Sequence, residues 1–334
     1  IDSRMLGELP FTPAFSGALV LRAADLGLNM HPSGRAFVFP QVGGFVGGDT
    51  VAGIVATRLE RMPDPSMLVD IGTNGEIVLS HAGRLLATSV AAGPAFEGAR
   101  ISCGMRAVAG AVEKAVIADD LRLNVIADSA PAGLCGSGLI DLAAELLRVG
   151  VIDETGRILP PEEWPADTPP ALRRRWRASG EGGDFVLAFA DEAAAGVDLL
   201  FTQRDVRELQ LASAAVRAGI NILLKMHDLS PADLQTVLLA GGFGNFIRRN
   251  HARRIGLLPP VPCERIRFVG NTSAMGARMA LLSRRERSYA AEVCGRVEHV
   301  DLSLSADFQL EFSTAMIFPA RGDWPDQPAE GVSK

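Results

Sequence analysis

Apolar residues fall in short runs along this chain, and their spacing switches between the two-residue period of strands and the 3.6-residue period of helices. "GALVL" at 17–21 and "RAFVFPQV" at 35–42 read as strands. In "GGDTVAGIVATRLERM", 47–62, Val51, Ile54, Val55 and Leu59 share one face, which predicts a helix. Asp49 stands at its expected N-cap, just after Gly47 and Gly48. Three strands are predicted at 67–71, 75–80 and 84–90, separated by "TNG" and "HAG", both hairpin turn signals. Strand-like pieces follow near 111–117 and 121–126. A helix with a glycine-rich entry is expected over 133–153, with Leu139, Leu142, Ala143, Leu146 and Leu147 inward and Gly150 as its stop. A strand at 184–189 leads to the longest helix, about 203–226. Thr202 and Asp205 have capping-box spacing there, and Val206, Leu209, Val216, Ile220 and Leu223 form the buried stripe. "LQTVLLAGGFGNFIRRN" and "RIRFVGNTSAMGARMALL" each read as strand, glycine-rich turn and helix, the first helix starting at Asn245.

This alternation argues for an α/β fold. "MPDP" at 62–65 is a plausible boundary. Residues 156–183, with "LPPEEWPADTPP" and then "RRRWR", read as a solvated insertion, and the chain from Trp324 reads as a tail.

Composition narrows the partners. The 334 residues are 48% hydrophobic and 22% charged, enough for a sizeable core and about two domains. Acidic residues number 39 and basic ones 33, a net charge of −6, so nothing draws the chain to nucleic acid or an anionic membrane. No apolar run approaches the ~20 residues that span a bilayer. Cys103, Cys135, Cys263 and Cys294 are too far apart in sequence for C-x-x-C spacing, which argues against a zinc or iron–sulfur site within these residues and fits the cytoplasm. The five histidines show no metal spacing, and His227 and His251 are expected on exposed helix ends.

The stretch "MLVDIGTNGEIVLS", 67–80, carries the most chemistry. Asp70 ends a very apolar strand, where an ionised carboxylate is costly unless paired or near a metal. Gly72 and Gly75 let the backbone turn tightly, and Thr73 and Asn74 add short polar groups. Amides in such a turn can cradle a phosphate, and Asp70 could hold Mg²⁺ through water. A plain Asn-Gly hairpin explains the same residues equally well. In "LLAGGFGN", 238–245, Gly241, Gly242 and Gly244 flank Phe243 after a buried strand, and glycines there admit a flat ligand. Asn271 in "FVGNTSAMGA", 268–277, sits at a similar turn. Glu76 and Glu97 are candidates for a supporting shell, against a reading as solvated or capping carboxylates.

The order of the pieces says more than any one of them. "GGD" opening a helix, "DIGTNGE" and then "AGGFGN" resemble the actin-like ATPase (ASKHA, ribonuclease H-like) superfamily, in which two lobes close over a nucleotide. "LVDIGTNGEIVL", "AAGPAFEGARISCGMRA", "GLCGSGLIDLAAELL", "LLAGGFGNFI" and "FVGNTSAMGA" together resemble the ATPase portion of the reductive activators of corrinoid proteins, over most of residues 5–320. The resemblance implies two lobes with the first incomplete: 1–64 from the first, 65–270 as the second with the insertion at 156–183, 271–323 packing back on both, and a tail at 324–334. It implies ATP and Mg²⁺ as ligands, with Asp70, Gly72, Thr73, Asn74 and Gly75 at the phosphates. Gly241 and Gly242 would meet the nucleoside, Phe243, Gly244 and Asn271 would also belong to the nucleotide site, and Asp49 would act as base.

It also implies a [2Fe–2S] domain and a first phosphate hairpin upstream of residue 1, and a corrinoid protein as partner. The activity implied is ATP-coupled reduction of Co(II) to Co(I) corrinoid for a methyltransferase, with a homodimer possible. Two alternatives remain open at this point: a small-molecule kinase of the same superfamily, and a non-catalytic docking module for a corrinoid protein.

Overall fold

The computed structural model describes residues 4–8, 11–180, 182–242, 247–303, 305–321 and 324. In chain order the elements begin with β1 (Leu19–Arg22), β2 (Arg35–Val38), α1 (Gly48–Thr57), β3 (Ser66–Ile71), β4 (Gly75–His81) and β5 (Arg84–Val90). Next come β6 (Ala111–Ile117), β7 (Leu121–Val125), β8 (Gly133–Leu134), α2 (Gly136–Arg148), β9 (Trp176–Ser179), β10 (Gly182–Ala188) and β11 (Leu199–Phe201). The rest are α3 (Gln203–Lys225), β12 (Thr236–Ala240), α4 (Arg249–Arg254), β13 (Ile266–Gly270), α5 (Thr272–Leu282), α6 (Arg284–Cys294), β14 (Val297–His299) and α7 (Ala306–Ala315). They form two compact units that interleave along the chain. One holds 1–91, 219–245 and 261–309, the other 92–218, 246–260 and 310–334.

The first unit is built on a six-stranded sheet in the order β13-β12-β3-β4-β5-β14. β12 runs parallel to β3 and to β13, β14 runs parallel to β5, and β4 is antiparallel to both its neighbours. β3 and β12 read as nearly continuous apolar runs because both lie in the middle of this sheet, covered on both faces. Val51, Ile54, Val55 and Leu59 are fully buried, in one cluster with Leu68, Val78 and Leu238, as the 3.6-residue spacing predicts. α1 and α5 cross closely because Gly276 has no side chain. A Cβ there would fall on the Ala52 carbonyl oxygen.

One expectation about α1 is corrected. Asp49 is not its N-cap; Gly47 is, in extended conformation, and Asp49 lies in the first turn. The double glycine lets the chain enter the helix two residues early, and the carboxylate still sits where the helix dipole favours it. The helix ends at Arg58, which takes a left-handed φ of 54°.

The second unit pairs a β7-β6-β8 sheet and a β11-β10-β9 sheet with helices. α2 is buried almost all round, charged residues included: Asp141 is 0% and Glu145 4% exposed. His251, expected at an exposed end, is buried against them, its Nδ1 2.8 Å from Asp141 and its Nε2 3.4 Å from Glu145. Arg248 reaches Asp141 at 2.5 Å and Arg148 reaches Glu145 at 2.7 Å. Burial works to raise the Glu145 carboxyl, but hydrogen bonds from His251, Arg148 and the Ile117 N–H outweigh it and hold it below the usual range. A buried charge persists only with such partners.

The segment 156–183 is also not a solvated insertion. Trp164 and Leu172 are buried, β9 joins β10, and Arg175 is only 4% exposed. Arg175 donates to Asp120 at 2.8 Å and to the carbonyls of Val186 and Leu187. Proline-rich composition disguised the buried Trp164 and Leu172, ahead of the β9–β10 hairpin. The helix expected from Asn245 begins, among the described residues, at Arg249; Asn245 itself and the tail after Trp324 lie outside them.

Candidate functional site

The carboxyl ends of β3, β12 and β13 lie side by side, since the three strands run parallel. Ligands of open α/β sheets bind at such an edge. β3 carries Asp70 there, between Val69 and Ile71, which are 0% and 2% exposed. The chain then turns at 72–74, with the Gly72 N–H donating to the Asn74 carbonyl at 2.9 Å, and returns as β4. In this register Asp70 faces Glu76, and Glu76 faces Ser89 on β5. Directly opposed residues share a face of the sheet. The Ser89 hydroxyl donates to the Glu76 carboxylate at 3.1 Å.

Gly241 follows β12, with φ at 104°, a conformation that favours glycine. A Cβ at Gly241 would sit 2.5 Å from the Ile71 carbonyl oxygen and 3.0 Å from Asp70 Oδ1. After β13, Asn271 caps α5 by accepting the Ala274 N–H at 2.8 Å.

These elements surround a cleft of about 370 Å³. Asp49, Asp70, Gly72, Thr73, Asn74, Gly241, Gly242 and Asn271, all expected from sequence, line it. Gly75 does not; it is buried in the sheet between Ile71 and Val90, where it serves the hairpin. Phe243 and Gly244 lie outside the described residues. Thr50 and Ser273 line the cleft without having been singled out, and Glu76 lines it directly rather than from behind. Alternation along β4 was the available signal for Glu76, since it shares the face of Asp70. Thr50 had none, being one more residue in an amphipathic helix. Glu97 is not among the lining residues, and Arg100 pairs with Glu208 at 3.9 Å.

Three carboxylates thus line one cleft that no lysine or arginine lines, among the described residues. Burial, helped by the charge of Asp49, pushes the Asp70 carboxyl up to about 6. Burial and Asp49 likewise push Glu76 up to about 7, against its bond from Ser89. Such groups call for a cation. No three His, Cys, Asp or Glu side chains among the described residues are placed to hold a metal by themselves. That donor set fits Mg²⁺, which keeps several waters and takes one or two carboxylates plus phosphate oxygens.

The comparisons with known proteins follow this geometry. Residues 64–326 match the family described as the C-terminal domain of RACo, the ASKHA domain, and residues 1–62 match the RACo middle region. A "Corrinoid activation enzyme RamQ" of Eubacterium limosum is 34% identical over 309 residues, covering 92% of this chain and 51% of that protein. A "[Co(II) methylated amine-specific corrinoid protein] reductase" of Methanosarcina barkeri is 26% identical over 289 residues, covering 79% and 48%. A solved "Reductive activator for corrinoid,iron-sulfur protein" superimposes with a TM-score of 0.85 at 37% identity, covering 96% of this chain and 50% of that one. The chain spans about half the length of the curated relatives it matches. The fold is that of the actin-like ATPases, the ASKHA assignment points to nucleotide binding, and the chain belongs to the RACo family.

Proposed function

We propose that this chain is the ATPase part of a corrinoid protein reductive activator, which uses ATP to make the reduction of Co(II) to Co(I) corrinoid possible for a methyltransferase. The observation that carries this reading is the carboxylate-lined cleft beside a glycine hairpin, with the Gly241 backbone held against Asp70. Its relatives' names supply the corrinoid substrate. Asp70 would hold Mg²⁺ through water, and the ion would supply the positive charge that offsets the phosphates. The 72–74 turn and Thr73 meet the phosphates, and the Gly241–Gly242 backbone leaves room for a flat nucleoside. Asp49 orients the attacking water and takes its proton. Phosphoryl transfer asks mainly for positioning and charge neutralisation, which suits this small set.

The Co(II)/Co(I) couple is low in potential, so ATP serves by favouring the conformation in which electron transfer occurs. The electron would come from a [2Fe–2S] group, for which the described residues offer no cysteine set. The same reading carries a cytoplasmic location, in keeping with four free thiols, and a homodimer.

The test is Asp49→Ala in the full protein. ATP binding should persist while hydrolysis and ATP-stimulated Co(I) formation are lost; unchanged turnover would remove Asp49 from this role. A second reading, a small-molecule kinase, draws on a neighbouring cavity of about 290 Å³ that shares Asn74 and could admit an acceptor. Phe11, Phe45 and Phe308 in its wall make it a poor fit for acetate, sugars or polyols. ADP release that depended on any of them would favour the kinase.

A further inference from the structure

α1 opens on the cleft through its first turn, where Asp49 and Thr50 both line it. No side chain caps this helix. Asp49 Oδ1 instead accepts the Thr50 N–H at 2.8 Å. The Thr50 side chain has no such partner. The residue is 5% exposed, and its hydroxyl oxygen is buried without a hydrogen bond.

A threonine in a helix usually bonds a carbonyl one turn back. Thr57 of the same helix does so, donating to the Gly53 carbonyl at 2.8 Å. Thr50 makes no such bond. Val46 O accepts from Val42 and Gly43, and Gly47 O accepts from Val51. A buried, unpaired hydroxyl costs roughly 1–3 kcal/mol, whereas a valine of the same shape would cost nothing. Folding alone therefore gives no reason for a threonine here. Of the buried side-chain polar atoms without a partner, among the described residues, only that of Thr50 belongs to a lining residue of this cleft.

We propose that Thr50 is a water-positioning residue, which holds the attacking water of nucleotide hydrolysis together with Asp49. The inference rests on the nucleotide reading above and adds a residue to it. Threonine in a helix has two accessible χ1 rotamers. In the proposed state a ~120° step about χ1 carries the hydroxyl to the staggered position that faces the cleft. The water then donates one hydrogen to Asp49 and the other to the Thr50 oxygen. A lone pair is left directed at the terminal phosphorus. The new P–O bond forms as the bond to the ADP oxygen breaks; ADP leaves with that electron pair, and Asp49 takes the proton. Fixing an attacking atom in this way acts on the rate more than on nucleotide affinity.

The experiment compares Thr50→Val and Thr50→Ser with the wild type in the full protein. Thr50→Val should lower kcat for ADP release at least ~10-fold. Its Kd for Mg-ATP should be unchanged, and its denaturation midpoint no lower than that of the wild type. Thr50→Ser should restore most of the rate. Full turnover in Thr50→Val, or a loss of affinity as large as the loss of rate, would overturn the proposal while leaving the nucleotide reading intact. A wild type that neither binds nor hydrolyses ATP would overturn both.

Discussion

At the scale of single residues, the cleft is held open by one glycine and charged by three acids. Gly241→Ala must move the Ile71 carbonyl or leave the left-handed region, so it should cost about 1–3 kcal/mol. Chemical denaturation would measure that loss, and Mg-ATP binding should weaken with it. The acids give a pH dependence of definite sign. Asp70 and Glu76 titrate at about 6 and about 7 when folded, above their unfolded values of 3.8 and 4.5. The folded, ligand-free protein therefore binds more protons in that window. Stability from these two groups is complete below the unfolded values and lost as pH rises through about 7. Mg²⁺ should reduce the loss, and Asp70→Asn with Glu76→Gln should remove it. Melting curves between pH 4.5 and 7.5, with and without Mg²⁺, would show a flat difference if the carboxylates do not face a common cation site.

At the scale of elements, the second unit depends on its buried ions. Asp141→Ala would leave the buried His251 and the half-buried Arg248 with no carboxylate at the positions they now reach, a loss of roughly 3 kcal/mol. Asp141→Asn should cost less. A loss under about 1 kcal/mol by urea denaturation would mean that the network is solvated in solution. This network also shows where the sequence was hard to read. β3, β4, β5, β12 and α3 could be placed from periodicity because each has one dominant environment along its length. α2 shows a single apolar face in sequence, yet it is buried on the polar side too, and nothing local marks Asp141 and His251 as partners across more than a hundred residues. The segment 156–183 misled for a related reason. Prolines and arginines usually mean solvent, but Arg175 finds Asp120 and two carbonyls inside.

At the scale of the whole molecule, ligand binding should report on the cleft as a linked equilibrium. Mg-ATP at 100 times its Kd should add about 2.7 kcal/mol to the unfolding free energy. The added stability should disappear in Asp70→Asn with Gly241→Ala, and persist in Asp141→Ala on a lower baseline. A nucleotide shift that vanished equally in all three would mean that the cleft is not where ATP binds.

The order of the motifs determined the family, the α/β class and most of the cleft-lining residues, because turn chemistry and period are local properties. Asp49, Asp70 and the 72–74 turn were legible for that reason. Tertiary structure decided the rest. It made Glu76 a wall of the cleft by setting it opposite Asp70, and moved Gly75 out of the cleft by pairing it within the sheet. It also buried the Thr50 hydroxyl beside the cleft without a partner. Those outcomes depend on which residues compete for the same hydrogen bonds and the same space, and that competition exists only once distant segments have packed together.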